Sequence, residues 1–424
     1  MNSIKKQVVS SVKWTTVGTV VNAIAALLKI SILARFLDKS DFGLMALVTF
    51  VMGFMNLFND MGLTSAILHK QKITKNEYAS LYWFNLGFSI ILYALLFLIA
   101  PLVANFYDEP ELNVLIQLLG LNLIISALGR IFKTIESKHL LFKEITIFEI
   151  IAAVSSLLFA VYLAANDYGV LSLVYSALLQ YLIQNVLYFS FGIKKYGLLR
   201  HFKLAETKPF IKIGVYQVGG QVINYFNRDL DILIIGKFFN QDILGGYSLA
   251  KQLVFRPAQI LNPILVKVAS PALAKFQSHK ELLKENYLKL IGIVSKINIF
   301  VYAVTIIFAP ILVQIFYGKG FDEVIPLLRI LSIYMVFRAI GNPIGSLVIA
   351  TGKTHLEFIW NCITFLIIPV FIFVGAGFGI TYVAWALNIA MAILFYPSWK
   401  LLVNRMTGAS FKEYLWAIIK PSIK

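Results

Sequence analysis

Gln217, Gln221, Asn224, Arg228 and Asp231 stand at i, i+4, i+7, i+11 and i+14, one continuous polar stripe at helical period in an otherwise apolar run. A second run carries Thr15, Thr19, Asn22, Ala26 and Lys29 at the same spacing. A charge at the middle of a membrane helix costs about 2.5 to 3.5 kcal/mol to insert, so neither face is expected to meet lipid. Two helices with one wet face each predict a hydrated cleft between two bundles, where a polar or charged solute could be held.

Lys29 and Asp231 carry opposite charges at equivalent positions of the two stripes. One reading makes them a gate at the outer end of the cleft, closing when they approach. The other pairs Asp231 with Arg228 one turn away and lets Lys29 snorkel to the interface. Asp60, in the next apolar stretch beside Asn56, is a candidate proton carrier, or a structural group bonded to Asn56. Glu149 falls at a helix end, where interfacial exposure is expected. Asp229, two residues from Asp231, should point away from it and neutralise a neighbour.

The basic residues deep within apolar stretches, away from their ends and loops, are unevenly shared. Lys29 alone belongs to the first half, while Arg228, Lys251, Arg256, Lys296, Arg329 and Arg338 belong to the second, against Asp60 and Glu149 in the first and Asp229 and Asp231 in the second. The second half is therefore cationic inside. Arginine makes planar, bidentate contacts to phosphate, so such a surface suits an anionic guest. Arg228, Lys251, Arg256 and Arg338, nearest mid-depth, are the expected cavity residues together with Asn22, Asn224, Gln217 and Gln221. The alternative for each cation is a hydrogen bond to a helix carbonyl freed at Pro257 or Pro343.

The elements that must position these groups are membrane helices. The 424-residue chain is 59% hydrophobic and 14% charged. Spanning the hydrocarbon takes roughly 20 apolar residues, and twelve stretches qualify: 10–34, 42–66, 78–105, 112–131, 144–165, 169–192, 210–235, 244–266, 288–316, 324–350, 357–375 and 378–403. The first is expected to be retained, since no small-residue cleavage site follows it. Most of the 38 Lys and Arg fall at the termini and in loops after even-numbered stretches, and only Arg35, Lys39, Lys237 and Lys319 in the odd-numbered loops. That sorting predicts cytoplasmic termini. The formal charge of +17 then reflects topology and contact with anionic lipid headgroups, not nucleic-acid binding.

Residues 14–49 recur in the second half, so that Gly18, Asn22, Phe36 and Gly43 fall without a gap on Gly220, Asn224, Phe238 and Gly245. Six helices separate equivalent positions, so the copies enter the membrane in the same orientation, as parallel repeats. The expected organisation is a six-helix lobe at 1–193, a basic cytoplasmic connector at 194–208, a second six-helix lobe at 209–404 and an amphipathic tail at 405–424 that could begin a thirteenth helix. Gly18, Gly219 and Gly220 are expected at close helix contacts. The lone Cys362 has no disulfide partner, and no G-x-x-x-x-G-K-[ST] phosphate loop is present.

The segments GTVVNAIAALLKISILARFLDKSDFGLMAL and YFNRDLDILIIGKFFNQDILGGYSLAKQL, with ATGKTHLEF further on, resemble the polysaccharide-biosynthesis flippases of the multidrug/oligosaccharidyl-lipid/polysaccharide exporter superfamily. The likeness covers nearly the whole chain and is nearest the Wzx type that serves exopolysaccharides such as colanic acid. It implies an all-α polytopic protein with two six-helix bundles in a V around a central cavity. It also implies alternating access and translocation of undecaprenyl-diphosphate-linked oligosaccharide units across a bacterial inner membrane, with a polymerase or export machinery as further partner. Relatives commonly have fourteen helices, which leaves open a lipid-tail groove built by helices 13 and 14.

Other functions fit less well. A cation-coupled multidrug antiporter of the same superfamily predicts an acidic cleft, which the cationic second half opposes. A membrane glycosyltransferase or ligase needs catalytic groups in a sizeable external loop, and the outer loops are a few residues long. No enzyme activity, cofactor or metal is expected.

Overall fold

A computed structural model describes residues 2–70 and 72–419, leaving the side chains of 2–8, 213, 216, 217, 260, 262–268 and 271 undescribed. Helix dominates, and no strand occurs among the described residues. Backbone groups in hydrocarbon have no water to bond, so a largely apolar chain of this kind satisfies them within helices.

In chain order the helices are α1 (Asn2–Leu33), α2 (Lys39–Asp60), α3 (Leu63–His69), α4 (Lys75–Tyr107), α5 (Glu111–Gly120), α6 (Asn122–Lys138), α7 (Phe142–Ala164) and α8 (Leu171–Tyr196). Then follow α9 (Leu204–Phe238), α10 (Gln241–Ala274), α11 (Lys280–Ile307), α12 (Ala309–Phe316), α13 (Val324–Gly341), α14 (Pro343–Thr351), α15 (Thr354–Ala376) and α16 (Ile380–Ser398). A π-helical stretch, Trp399–Asn404, leads into α17 (Arg405–Thr407), and α18 (Phe411–Ile419) closes the described chain. Every one of the twelve apolar stretches falls on helix. Among the described residues nine spans are long and apolar enough to cross a bilayer; α8, α9 and α10 lie on the stretches 169–192, 210–235 and 244–266.

Several stretches are broken where the sequence interrupts the ladder. Between α2 and α3, Met61 and Gly62 are both left-handed, with φ of 44° and 64°. Pro310 and Pro343 sit in the first turn of α12 and α14, the position at which a missing N–H costs nothing. Helix starts are equally local. Thr74 Oγ1 accepts from Glu77 N at 3.2 Å while Glu77 Oε2 accepts from Thr74 N at 2.8 Å, a capping box that starts α4.

The chain divides into two compact units, 1–225 with 240–242 and 226–239 with 243–424, so α9 contributes to both. In the first unit α7 packs on α1 and α8, and α6 on α8 and α4. Its core at the start of α4 joins Leu63, Ile67, Leu81, Tyr82, Phe132 and Phe210. In the second unit α15 packs on α16, and α13 on α11 and α16. There the tail is part of the core: Tyr414 and Ile418 of α18 are buried with Tyr287, Leu347, Trp399 and Leu402. Residues 420–424 of the expected tail lie outside the described residues.

Candidate functional site

The polar groups of the second unit converge where α9 and α10 pack side by side. Asp231 is 6% exposed and Lys251 8%. Lys251 Nζ lies 2.7 Å from Asp231 Oδ1 and 3.1 Å from Asp229 Oδ1, and donates to the Arg228 carbonyl at 2.8 Å. Tyr247 OH, one helical turn before Lys251, donates to Asp231 Oδ2 at 2.5 Å. The ammonium thus spends its three protons on three acceptors. Burying it without them would cost several kcal/mol.

Arg228 occupies the rim of this cluster. Its guanidinium contacts Asp229 Oδ2 at 2.7 Å, and its side chain is 51% exposed. Arg338 approaches from α13: it donates to Tyr334 OH at 2.7 Å and stands 5.5 Å from the Phe255 ring centroid, the same ring that Lys251 faces at 5.6 Å. Lys251 and Arg228 therefore share the two carboxylates, and with Arg338 beside them the cluster carries one net positive charge. Beside them a pocket of about 10 Å³, near the size one water needs, is lined by Asn227, Arg228, Asp231, Tyr334 and Pro369. Asn227 Nδ2 donates to the Asn361 carbonyl and to Thr364 Oγ1, each at 2.9 Å, fixing α9 on α15.

Asp229 corrects the expectation from its spacing. Two residues along a helix turn a side chain by roughly 200°, yet a lysine reaching in from a neighbouring helix ends between the two carboxylates and binds both. Arg256 stands apart, with Nη1 3.3 Å from Gln259 Oε1 and a buried Nε that lacks a hydrogen-bond partner. Gln221 and Asn224 are exposed on α9, and the side chain of Gln217 lies outside the described residues. Lys296 and Arg329 are exposed, and Arg329 Nε donates to the Ile306 carbonyl.

The first unit holds a different chemistry. Lys29 Nζ donates to Ser156 Oγ at 3.0 Å, and Ser156 to the Ser176 carbonyl at 2.6 Å. Lys29 and Asp231 thus each have partners within their own unit. Asn22 Nδ2 reaches Glu149 Oε2 at 3.5 Å, while Glu149 Oε1 takes Lys133 Nζ at 2.7 Å and Tyr188 OH at 3.3 Å. Glu149, a quarter exposed, is also a junction of α1, α6, α7 and α8. Its helix-end position in the sequence says nothing about three neighbours that arrive from elsewhere.

Asp60 accepts from Thr64 Oγ1 at 2.6 Å, across the α2–α3 break, and not from Asn56 as considered from the sequence. It interacts electrostatically with Arg130 of α6, whose Nη1 is buried without a hydrogen-bond partner. The break itself is held by Asn59: its carbonyl accepts from Asn85 Nδ2 at 2.9 Å, and its Nδ2 donates to the Leu123 carbonyl at 3.1 Å. Arg130, Asn59, Asn85, Tyr247 and Ser156 are polar groups that sequence reading did not single out. Their partners lie on other elements or at breaks, so no stripe announced them.

Close packing also differs from expectation at the glycines. A Cβ on Gly18 would meet the Thr146 methyl at 2.8 Å, as expected for a tight contact, whereas one on Gly219 or Gly220 would meet nothing within 4 Å.

The helical spans and the buried ion cluster define a multi-pass membrane protein of transporter fold. Over 96% of its length the chain superposes on the lipid II flippase MurJ in an inward closed conformation, with a TM-score of 0.74, 16% identity and 90% of that chain covered. Against an inward-facing multidrug resistance MATE family transporter of the MOP superfamily the TM-score is 0.68, at 16% identity over 93% of this chain and 100% of the other. Residues 32–326 match the family model described as polysaccharide biosynthesis protein, and the chain belongs to that family. Among curated relatives, the lipopolysaccharide biosynthesis protein WzxC of Escherichia coli K12 is 28% identical, covering 99% of this chain and 85% of the relative. The teichuronic acid biosynthesis protein TuaB of Bacillus subtilis is 26% identical over 99% and 87%, and the amylovoran biosynthesis protein AmsL of Erwinia amylovora 27% over 83% and 91%.

Proposed function

We propose that this protein is a flippase that carries undecaprenyl-diphosphate-linked oligosaccharide units across the bacterial cytoplasmic membrane by alternating access, with both termini cytoplasmic. The observation that carries this reading is the occupied carboxylate pair. Lys251 and Arg228 already neutralise Asp231 and Asp229, so a cationic drug would have to displace a buried ammonium, whereas Arg338 leaves the cluster with one net positive charge. A diphosphate is stable in so apolar a chain only where protein cations replace its hydration. Arg228, half exposed, is the first candidate for phosphate contact, and Arg338, Arg256, Gln221 and Asn224 follow. Lys29 is held by a neutral hydroxyl, which leaves its charge for a gating partner. The relatives' roles in assembling surface polysaccharides support the same cargo class. They also fit a non-enzymatic step between glycan synthesis and polymerisation or export.

Proteoliposomes loaded with a fluorescent polyprenyl-diphosphate oligosaccharide test this, with leaflet accessibility to an impermeant quencher as readout. Protein-dependent translocation of the glycolipid, without uptake of a cationic dye, is expected. Dye transport with no glycolipid movement would replace the reading with that of a multidrug antiporter.

A further inference from the structure

The segment that joins α8 to α9 is fastened to the first unit rather than hanging as a loop. Ser80, fully buried near the start of α4, donates to Glu206 Oε2 at 2.6 Å and accepts from Lys203 N at 3.0 Å. His201 Nε2 lies 3.1 Å from both Glu206 oxygens, and Trp83 Nε1 donates to the Leu199 carbonyl at 3.0 Å. Upstream, Lys195 and Tyr196 both bond Glu136 of α6. Five such ties across a short, irregular stretch set which side chains face in and which face out.

What faces out is one chemistry. Leu199, Phe202 and Leu204 are 43%, 53% and 50% exposed, large apolar groups that water would not favour together. Lys194, Arg200, Lys203 and Lys208 are exposed among them. The acids of the same face are engaged: Glu206 by Ser80 and His201, Glu136 by Lys195, and Glu77 by Lys70 at 2.5 Å. The strap therefore shows interleaved cations and apolar side chains where membrane helices begin and end. An acidic soluble partner would account for the cations but not for their placement at the depth where α4 starts and α8 stops. Headgroups account for both.

We infer that residues 199–208 form a lipid-binding strap, with Phe202 and Leu204 in the interfacial hydrocarbon and Arg200, Lys203 and Lys208 on the phosphates of anionic phospholipids. This rests on the chain spanning a membrane and is independent of its cargo. The strap fixes one end of α9 to both the first unit and the bilayer surface.

The test uses the full chain in nanodiscs. A spin label at F202C in a C362S background is expected to collide with oxygen and to be shielded from a nickel chelate. Phosphatidylglycerol titrated onto delipidated protein, against phosphatidylcholine, is expected to bind about five-fold more weakly for each cation removed, so about a hundred-fold for R200Q/K203Q/K208Q. Substituting Ser80→Ala releases the strap and is expected to lose oxygen exposure at 202 without removing any charge. A label at 202 open to the nickel chelate, or unchanged lipid preference in the triple variant, would overturn the inference. Shielding only on addition of an acidic polypeptide would reassign the strap to a protein partner.

Discussion

The Lys251 ammonium lies 2.7 Å from Asp231, with both side chains buried between α9 and α10. With Arg228 on Asp229, it converts what the sequence offers as separate charges into one neutralised group beside Arg338. Removing one partner strands the other in a low-dielectric interior, at a cost of about 3 to 5 kcal/mol. Lys251→Met should therefore lower the thermal unfolding temperature of detergent-solubilised protein sharply. The triple change with Asp229→Asn and Asp231→Asn should recover most of the loss. A single variant as stable as the parent would deny the pair its structural role.

Tyr247 donates a hydrogen bond to the other oxygen of Asp231. Tyr247→Phe keeps the ring and deletes the donor, so a loss of about 1.5 to 3 kcal/mol is expected, the range for bonds to charged groups. Denaturation of parent and variant in the same detergent measures it.

Arg228 and Arg329 separate site from surface. Arg228 sits at the rim of the cluster, whereas Arg329 is exposed on α13. Arg228→Gln should slow glycolipid translocation about ten-fold or more, the value of a charge-assisted bond to phosphate. Arg329→Gln should leave the rate within two-fold, by the same scale applied to an exposed cation.

Gly214 meets the α2–α3 break so closely that a Cβ would fall 1.7 Å from the Met61 carbonyl oxygen. Gly214→Ala must push the two backbones apart, and a loss of about 1 to 3 kcal/mol is expected. Gly219→Ala, on the same helix with nothing within 4 Å, should be neutral or stabilise by about 0.5 to 1 kcal/mol through helix propensity. Paired melting curves distinguish the two.

Glu206 lies outside the spans, and the hydrogen bonds from Ser80 and then His201 hold its carboxyl below the usual carboxylate range. A depressed folded value means the tie is fully present above the ordinary carboxylate pKa and is lost as pH falls through the lowered one. A spin label at position 205 should stay immobile through neutral and mildly acid pH and loosen only at the strongly acid end. In Ser80→Ala, where the strap is already released, the label should be mobile across the whole range.

That the apolar stretches become helix was legible along the chain, as was the second half's positive bias, because lipid imposes a simple test: every run of about 20 apolar residues must become helix, and nine spans among the described residues meet it. The polar stripe of α9 was legible for the same reason, since helical period alone places Gln221, Asn224, Arg228 and Asp231 on one side. Tertiary structure decided which charges meet. Lys251 lies twenty residues beyond Asp231, and its choice of both Asp229 and Asp231 depends on how α10 turns against α9, which no spacing within either helix contains. Glu149 makes the same point in the first unit, where an acid finds partners on three other helices. Period determines the face a residue occupies; only packing determines what stands opposite, and in hydrocarbon that opposite group sets whether a charge is spent on the fold or kept for a substrate.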